Sequence, residues 1–241
     1  MSSPVLNEET FNRFEFITDE TIPDHARHMT LSGTINKAAF LLAIVIAASL
    51  ISYNITMPIG LTLALIPITL ILAIMIYFKP QHAPWLSSLY CGAEGLILGE
   101  ISSYASETYD GVVGEAIFCT MAVVFAMLAA YRFGIIKVNN TFRSVIYGAT
   151  MGIALYYLFM LITRLFGLYI TALHVGPIAI ITNIVICGIA AFNLAIDFDN
   201  IKIGVDSNAP KLMEWYCAYS LMVTIIWVYI EILRLLGRRR N

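Results

Sequence analysis

Six acidic residues stand inside long apolar stretches of this 241-residue sequence: Glu94, Glu100, Glu115, Asp197, Glu214 and Glu231. A charge at the centre of a lipid-embedded helix costs about 2.5–3.5 kcal/mol on insertion scales, so each is a candidate for ion binding or proton exchange. The densest polar pattern is Ala-Phe-Asn-Leu-Ala-Ile-Asp-Phe-Asp, residues 191–199. On a helix it places Asn193, Asp197 and Asn200 on one face at i, i+4 and i+7. Thr182 extends the stripe. Carboxylate and amide oxygens are the hard ligands that calcium prefers, so Asp197 is the expected calcium ligand and Asn193 its neighbour. Asp199 fits a water-exposed helix-end cap.

Depth separates the other acids. Glu94 and Glu100 fall about 12 and 21 Å into their run by helix rise, roughly 120° apart around the axis. Either one can line a polar interior, and Glu94 adjoins a stripe of small residues. Glu115 and Glu214 lie near the starts of their runs, and Glu231 near the end of its run with Arg234 at i+3. For these three the expectation is solvation or a salt bridge.

Enzymatic chemistry is not expected. The four histidines, His25, His28, His82 and His174, all lie outside the apolar runs, which leaves no Ser-His pair or histidine metal site within them. Cys91, Cys119, Cys187 and Cys217 form no Cys-x-x-Cys pair and read as small core fillers.

The elements that must position these residues follow from composition. Apolar residues make up 59% and charged residues 12%, against roughly 45–50% and about 25% in a soluble domain, and the charges gather between apolar runs. Seven runs are long enough to cross a hydrocarbon core of roughly 30 Å, near 35–55, 59–78, 86–105, 112–132, 143–166, 176–198 and 212–236. Backbone amides must be paired in lipid, and no run shows the alternation of a barrel strand, so the expected fold is an all-α, polytopic membrane helix bundle. Residues 1–34 read as an acidic cytoplasmic tail, partly disordered, and residues 35–241 as the seven-helix transmembrane domain. The net charge of −2 offers no basic face for nucleic acid.

Orientation rests on the basic residues. With the N-terminus inside, Arg13, Arg27, Lys37, Lys79, Arg132, Lys137, Arg143, Lys202 and Lys211 fall on the cytoplasmic side, and only Arg164 lies in an opposite connector. Seven full crossings place Arg238, Arg239 and Arg240 outside, against this bias. A re-entrant last segment is the alternative, and seven crossings are favoured.

Helix association in lipid relies on small residues. Ser87, Cys91, Gly95, Gly99 and Ser103 form such a stripe in the third run. Gly148 with Gly152, and Ala122, Ala126 and Ala130, offer similar surfaces. Trp85, Trp215, Tyr104 and Tyr109 read as headgroup anchors at span ends.

The ordered series of motifs resembles the Bax inhibitor-like membrane proteins, specifically a bacterial branch. It comprises Glu94-Gly-Leu-Ile-Leu-Gly99, Tyr131-Arg-Phe-Gly-Ile-Ile-Lys137-Val with Thr141-Phe-Arg143, Asn193-Leu-Ala-Ile-Asp197-Phe-Asp199-Asn-Ile, Ala-Pro210-Lys-Leu-Met-Glu214-Trp215-Tyr216 and Ile-Glu231-Ile-Leu-Arg234-Leu-Leu. The resemblance implies a seven-helix bundle with the last helix central. It also implies a proton-sharing pair of aspartates, on helices six and seven, linked to a pH-sensitive calcium leak. Asp197 matches the first aspartate through its Asp-Phe-x-x-Ile context. At the level of the second the sequence carries Val223 and Thr224, which leaves Glu94 and Glu214 as candidates for a second carboxylate.

Two functional expectations follow. The first is a slow, pH-influenced cation leak in a bacterial inner membrane, with calcium as permeant ion and no other cofactor. The second is a non-conducting regulator that binds membrane proteases or stress-response proteins through its helix faces and acidic tail.

Overall fold

A computed structural model describes residues 28–55, 58–167 and 176–240. Most of the expected acidic tail lies outside the described residues. Seven α-helices follow in order: α1 (Leu31–Asn54), α2 (Ile59–Phe78), α3 (Ala83–Thr108), α4 (Val112–Arg132), α5 (Asn140–Leu165), α6 (Pro177–Asp206) and α7 (Met213–Arg240). Each overlaps one expected run. A single 3-10 turn, Pro80–His82, joins α2 to α3. The fold is all-α, and the described residues hold one isolated β-bridge, His28 with Pro210, and no strand.

Local chemistry sets the helix starts. Thr30 caps α1, its hydroxyl accepting from the amide of Gly33 at 3.1 Å, which starts the helix four residues before the expected run. Asn139 caps α5 by accepting from Phe142 N at 2.8 Å. Gly111, at φ +74°, supplies the left-handed turn into α4 that a side chain would strain.

Six helices are long and apolar enough to cross a membrane. The seventh, α3, spans about 39 Å at its 26 residues but carries Glu94, Glu100 and Glu107. Its polarity matches its burial, since Ser87, Cys91, Gly95, Gly99 and Ser102 are all buried. α7 runs unbroken for 28 residues, without the interruption at which a re-entrant segment would turn back. It is also the most enclosed of the six candidate spans, with 39% of its apolar window buried against 11% for α2 and for α5.

The chain divides into two compact units. One comprises Ser2–Thr108 with Asp197–Val223, and so holds α1, α2, α3, the end of α6 and the start of α7. Within it α3 packs on α1 through glycine. A Cβ at Gly95 would lie 2.6 Å from the carbonyl oxygen of Val45, and one at Gly99 would strike the carbonyl of Ser49. The expected small-residue stripe is therefore a helix contact. The chain leading into α1 pairs with the α6–α7 connector, Met29 N donating to Ala209 O at 2.7 Å. Asn208, at φ 52°, turns the chain out of α6.

The other unit comprises Tyr109–Ile196 with Thr224–Asn241, and holds α4, α5, most of α6 and the second half of α7. Here the small residues behave differently. Gly148 and Gly152 are exposed, and a Cβ at either would meet nothing within 4 Å. Ala122 and Ala126 are exposed as well. Trp85 and Tyr104, at 80% and 76% exposure, stand outward as interfacial anchors would, whereas Trp215 is half-buried with the Lys37 ammonium over its ring at 5.5 Å.

Candidate functional site

Asp197 is 7% exposed, although it is an acid in an apolar helix. It does not close α6, which continues nine residues further to Asp206. The acids at 197 and 199 resemble a helix end in sequence, but the run Asn200-Ile201-Lys202-Ile203 keeps the turn going. Asp199 is accordingly a half-buried residue within the helix rather than its cap, and Asn200 is buried.

Ser220 Oγ, on α7, donates to Asp197 Oδ1 at 2.8 Å. The bond joins α6 to α7 through a hydroxyl and a carboxylate. The sequence reading set Val223 and Thr224 at the level opposite Asp197; Ser220, one helical turn before Thr224, donates to it. A serine one turn earlier on the same face was the available signal.

Glu94 occupies the same unit. It is half-buried and hydrogen-bonded to Thr69 of α2 and to Tyr90, one turn back on α3. Tyr90 meets Tyr219 of α7 edge to face, with ring centroids 5.0 Å apart. Glu100 accepts from Ser52 Oγ of α1 at 3.3 Å.

Glu214 is fully buried, which corrects the expectation of a solvated carboxylate; its alternative, a salt bridge, is what forms. Glu214 Oε1 accepts from the backbone amide of Thr30 at 2.8 Å and from its hydroxyl at 2.9 Å, while Oε2 pairs with the Lys37 ammonium. Gly33 lies against this carboxylate so closely that any Cβ would collide with it. Both oxygens are thus committed to the first turns of α1, where a negative charge also suits the positive end of the helix dipole.

In the other unit Glu231 is 1% exposed. Its carboxylate accepts from Tyr157 of α5 at 2.7 Å, Asn183 of α6 at 3.0 Å, and Trp227 and Arg234 of α7 at 3.2 Å each. The i+3 pair with Arg234 forms as expected; the burial was not foreseen. Asn183 escaped the sequence reading, which singled out half-buried Thr182 beside it. Asn193 belongs to this unit too, its amide donating to Thr150 Oγ1 and to Ile189 O, both at 2.9 Å. Glu115 is exposed in the first turn of α4.

Among the described residues no group of three or more His, Cys, Asp or Glu side chains is placed to hold a metal ion. Asp197, whose carboxylate accepts from Ser220, belongs to no such group. That arrangement suits brief contact with a cation rather than a dedicated cage, which for calcium takes about 6–8 oxygens.

Comparison with known proteins gives one result at the level of the whole sequence. The family described as Bax inhibitor 1 like matches residues 3–241. No curated protein matches the chain.

Proposed function

Starting from the fact that the chain belongs to the Bax inhibitor 1 like family, we propose that it is a slow, pH-influenced cation leak with calcium as the permeant ion and Asp197 as its ion-contacting residue. The observation that carries this reading is the enclosed Asp197 carboxylate, held by Ser220 across the α6–α7 contact. A carboxylate held by a serine hydroxyl can exchange that hydrogen bond for a passing cation and recover it afterwards. Conduction needs binding of this weak and reversible kind. Glu94, hydrogen-bonded to Thr69 and Tyr90, is the second acid assigned to the path.

The site of action in this reading is a bacterial inner membrane, with the N-terminus cytoplasmic because the basic connectors favour that side. Ion flux into liposomes holding the purified chain tests the proposal. Flux that is unchanged in Asp197→Asn removes the assigned residue. Flux no greater than in empty liposomes removes the leak.

One observation favours a second reading, a non-conducting regulator that binds membrane proteases or stress-response proteins. Gly148 and Gly152 present an open small-residue face on α5, of the kind that admits another transmembrane helix. Co-purification of membrane partners with the intact chain, set against Gly148→Ile/Gly152→Ile and a deletion of residues 1–30, distinguishes this reading from the leak.

A further inference from the structure

The Glu231 cluster has a geometry that neither reading uses. Four side-chain oxygens belong to it: the two of the Glu231 carboxylate, the Tyr157 hydroxyl, and the side-chain carbonyl of Asn183, whose amide nitrogen bonds the carboxylate. Asn183 Nδ2 donates both to Glu231 O at 3.1 Å and to Glu231 Oε2 at 3.0 Å. Both partners are acceptors, so the amide cannot be turned round, and its oxygen is fixed as the leftover group. That oxygen, on a residue 1% exposed, is buried and has no hydrogen-bond partner. A buried amide oxygen left unpaired is unfavourable, so an N–H donor brought to it is stabilised there.

The cation now at the cluster is Arg234. All three of its hydrogen bonds there pass through one nitrogen, Nη1, to Tyr157 Oη and to both Glu231 oxygens. Its guanidinium also lies over the Tyr157 ring, 5.1 Å from the centroid. The side chain is 37% exposed, whereas Glu231 is 1% exposed. The acid is therefore fixed, and its partner reaches it from a more open position. One carboxylate, neutral oxygens and an aromatic face match a planar monovalent cation and not calcium, which needs more oxygens and more negative charge.

We infer that Glu231, Tyr157 and Asn183 form a binding site for a guanidinium-type cation, and that the chain's own Arg234 occupies it. When Arg234 withdraws, a free guanidinium group takes its place. Without the tether it can turn a second nitrogen towards Asn183 Oδ1, which Nη1 of Arg234 leaves unsatisfied. The site is separate from Asp197 and stands whether or not the chain conducts.

Trp227 reports on it, because its indole nitrogen donates to Glu231 Oε1. In the full-length chain with Trp85→Phe and Trp215→Phe, Trp227 is the sole tryptophan. Its emission is followed during titration with non-denaturing, millimolar guanidinium chloride, against sodium chloride at equal concentration. In Arg234→Ala a saturable shift specific to guanidinium is expected, together with a raised unfolding temperature. Parental Arg234 should need at least about tenfold more ligand, because its tethered group competes at high effective concentration. Arg234→Ala/Glu231→Gln should lose the response. Where Arg234→Ala is not recovered folded, Arg234→Gln serves, since it too leaves the carboxylate without a cation. An equal response to sodium, or a guanidinium response that survives Glu231→Gln, overturns the assignment, as does the lack of any saturable shift.

Discussion

Ser220 meets Asp197 with a hydroxyl, 2.8 Å from the carboxylate oxygen, at a point where α6 and α7 touch. A serine donates its proton to a carboxylate but does not compete with it for one near neutral pH. At this contact Asp197 accepts from a neutral donor.

That contact predicts how flux depends on these two residues. Asp197→Asn should lower flux well below that of the native chain. Ser220→Asp, which puts a second carboxylate beside the first, should alter the pH dependence of flux, because like charges that close disfavour each other's ionisation. Flux measured across a pH series in liposomes checks this, and identical profiles for the native chain and Ser220→Asp would contradict it.

Removing the hydroxyl has a separate, structural effect. Ser220→Ala leaves the Asp197 carboxylate buried without this donor, a loss of about 1.5–3 kcal/mol for a hydrogen bond to a charged group. Asp197→Asn/Ser220→Ala should cost less than the sum of the two single changes. Reversible unfolding in detergent gives the comparison, and strict additivity would mean that the bond is not coupled.

The Lys37–Glu214 pair predicts a sharper asymmetry. Lys37 is 18% exposed and Glu214 is fully buried, so either Lys37→Met or Glu214→Gln strands a partner, at a cost of about 3–5 kcal/mol. The double replacement strands no charge and should be milder than either single change. Thermal unfolding of the four chains decides it, and a double variant weaker than both singles would sink the idea.

Two pairs of glycines with the same four-residue spacing should respond in opposite ways. Gly99→Val drives a side chain into the α1 backbone at Ser49 and the Cβ of Ser52, and no rotamer relieves a clash with a carbonyl. Overpacking costs typically 1–3 kcal/mol, and here the obstacle is backbone, so this variant should fail to yield folded protein. Gly148→Val enters open space and should be recovered at native levels, with a shift of under about 1 kcal/mol. Size-exclusion profiles of the two variants provide the readout, and equal losses would refute the contrast.

These contrasts mark what one sequence conveys. The helices were legible because crossing a bilayer takes about twenty mostly apolar residues, and even α3, with its three glutamates, keeps long apolar stretches. Residue 31 rather than 35 begins α1 because Thr30 caps it, a local signal that the apolar count ignores. The burial of Glu214 was not legible. Depth along a helix can be read from sequence, but the partner that turns an acid inward cannot, and Lys37 lies 177 positions away. The pairing of Glu231 with Arg234 was visible because it is local; its enclosure by Tyr157 and Asn183 was hidden because those donors come from α5 and α6. The same limit explains the glycines, since spacing defines a smooth face but not whether another helix lies against it.

The bond from Thr30 N to Glu214 spans 184 residues and ties the N-terminal turn of the first helix to the start of the last. The polypeptide is made from the Thr30 end, at about 5–20 residues per second, so a nascent chain waits on the order of 10–40 s before the acceptor emerges. During that interval the amide and hydroxyl of Thr30 and the ammonium of Lys37 must be satisfied by water or lipid phosphate. Until residue 214 emerges the start of α1 is held by its surroundings alone, and a ribosome stalled before codon 214 leaves it ajar.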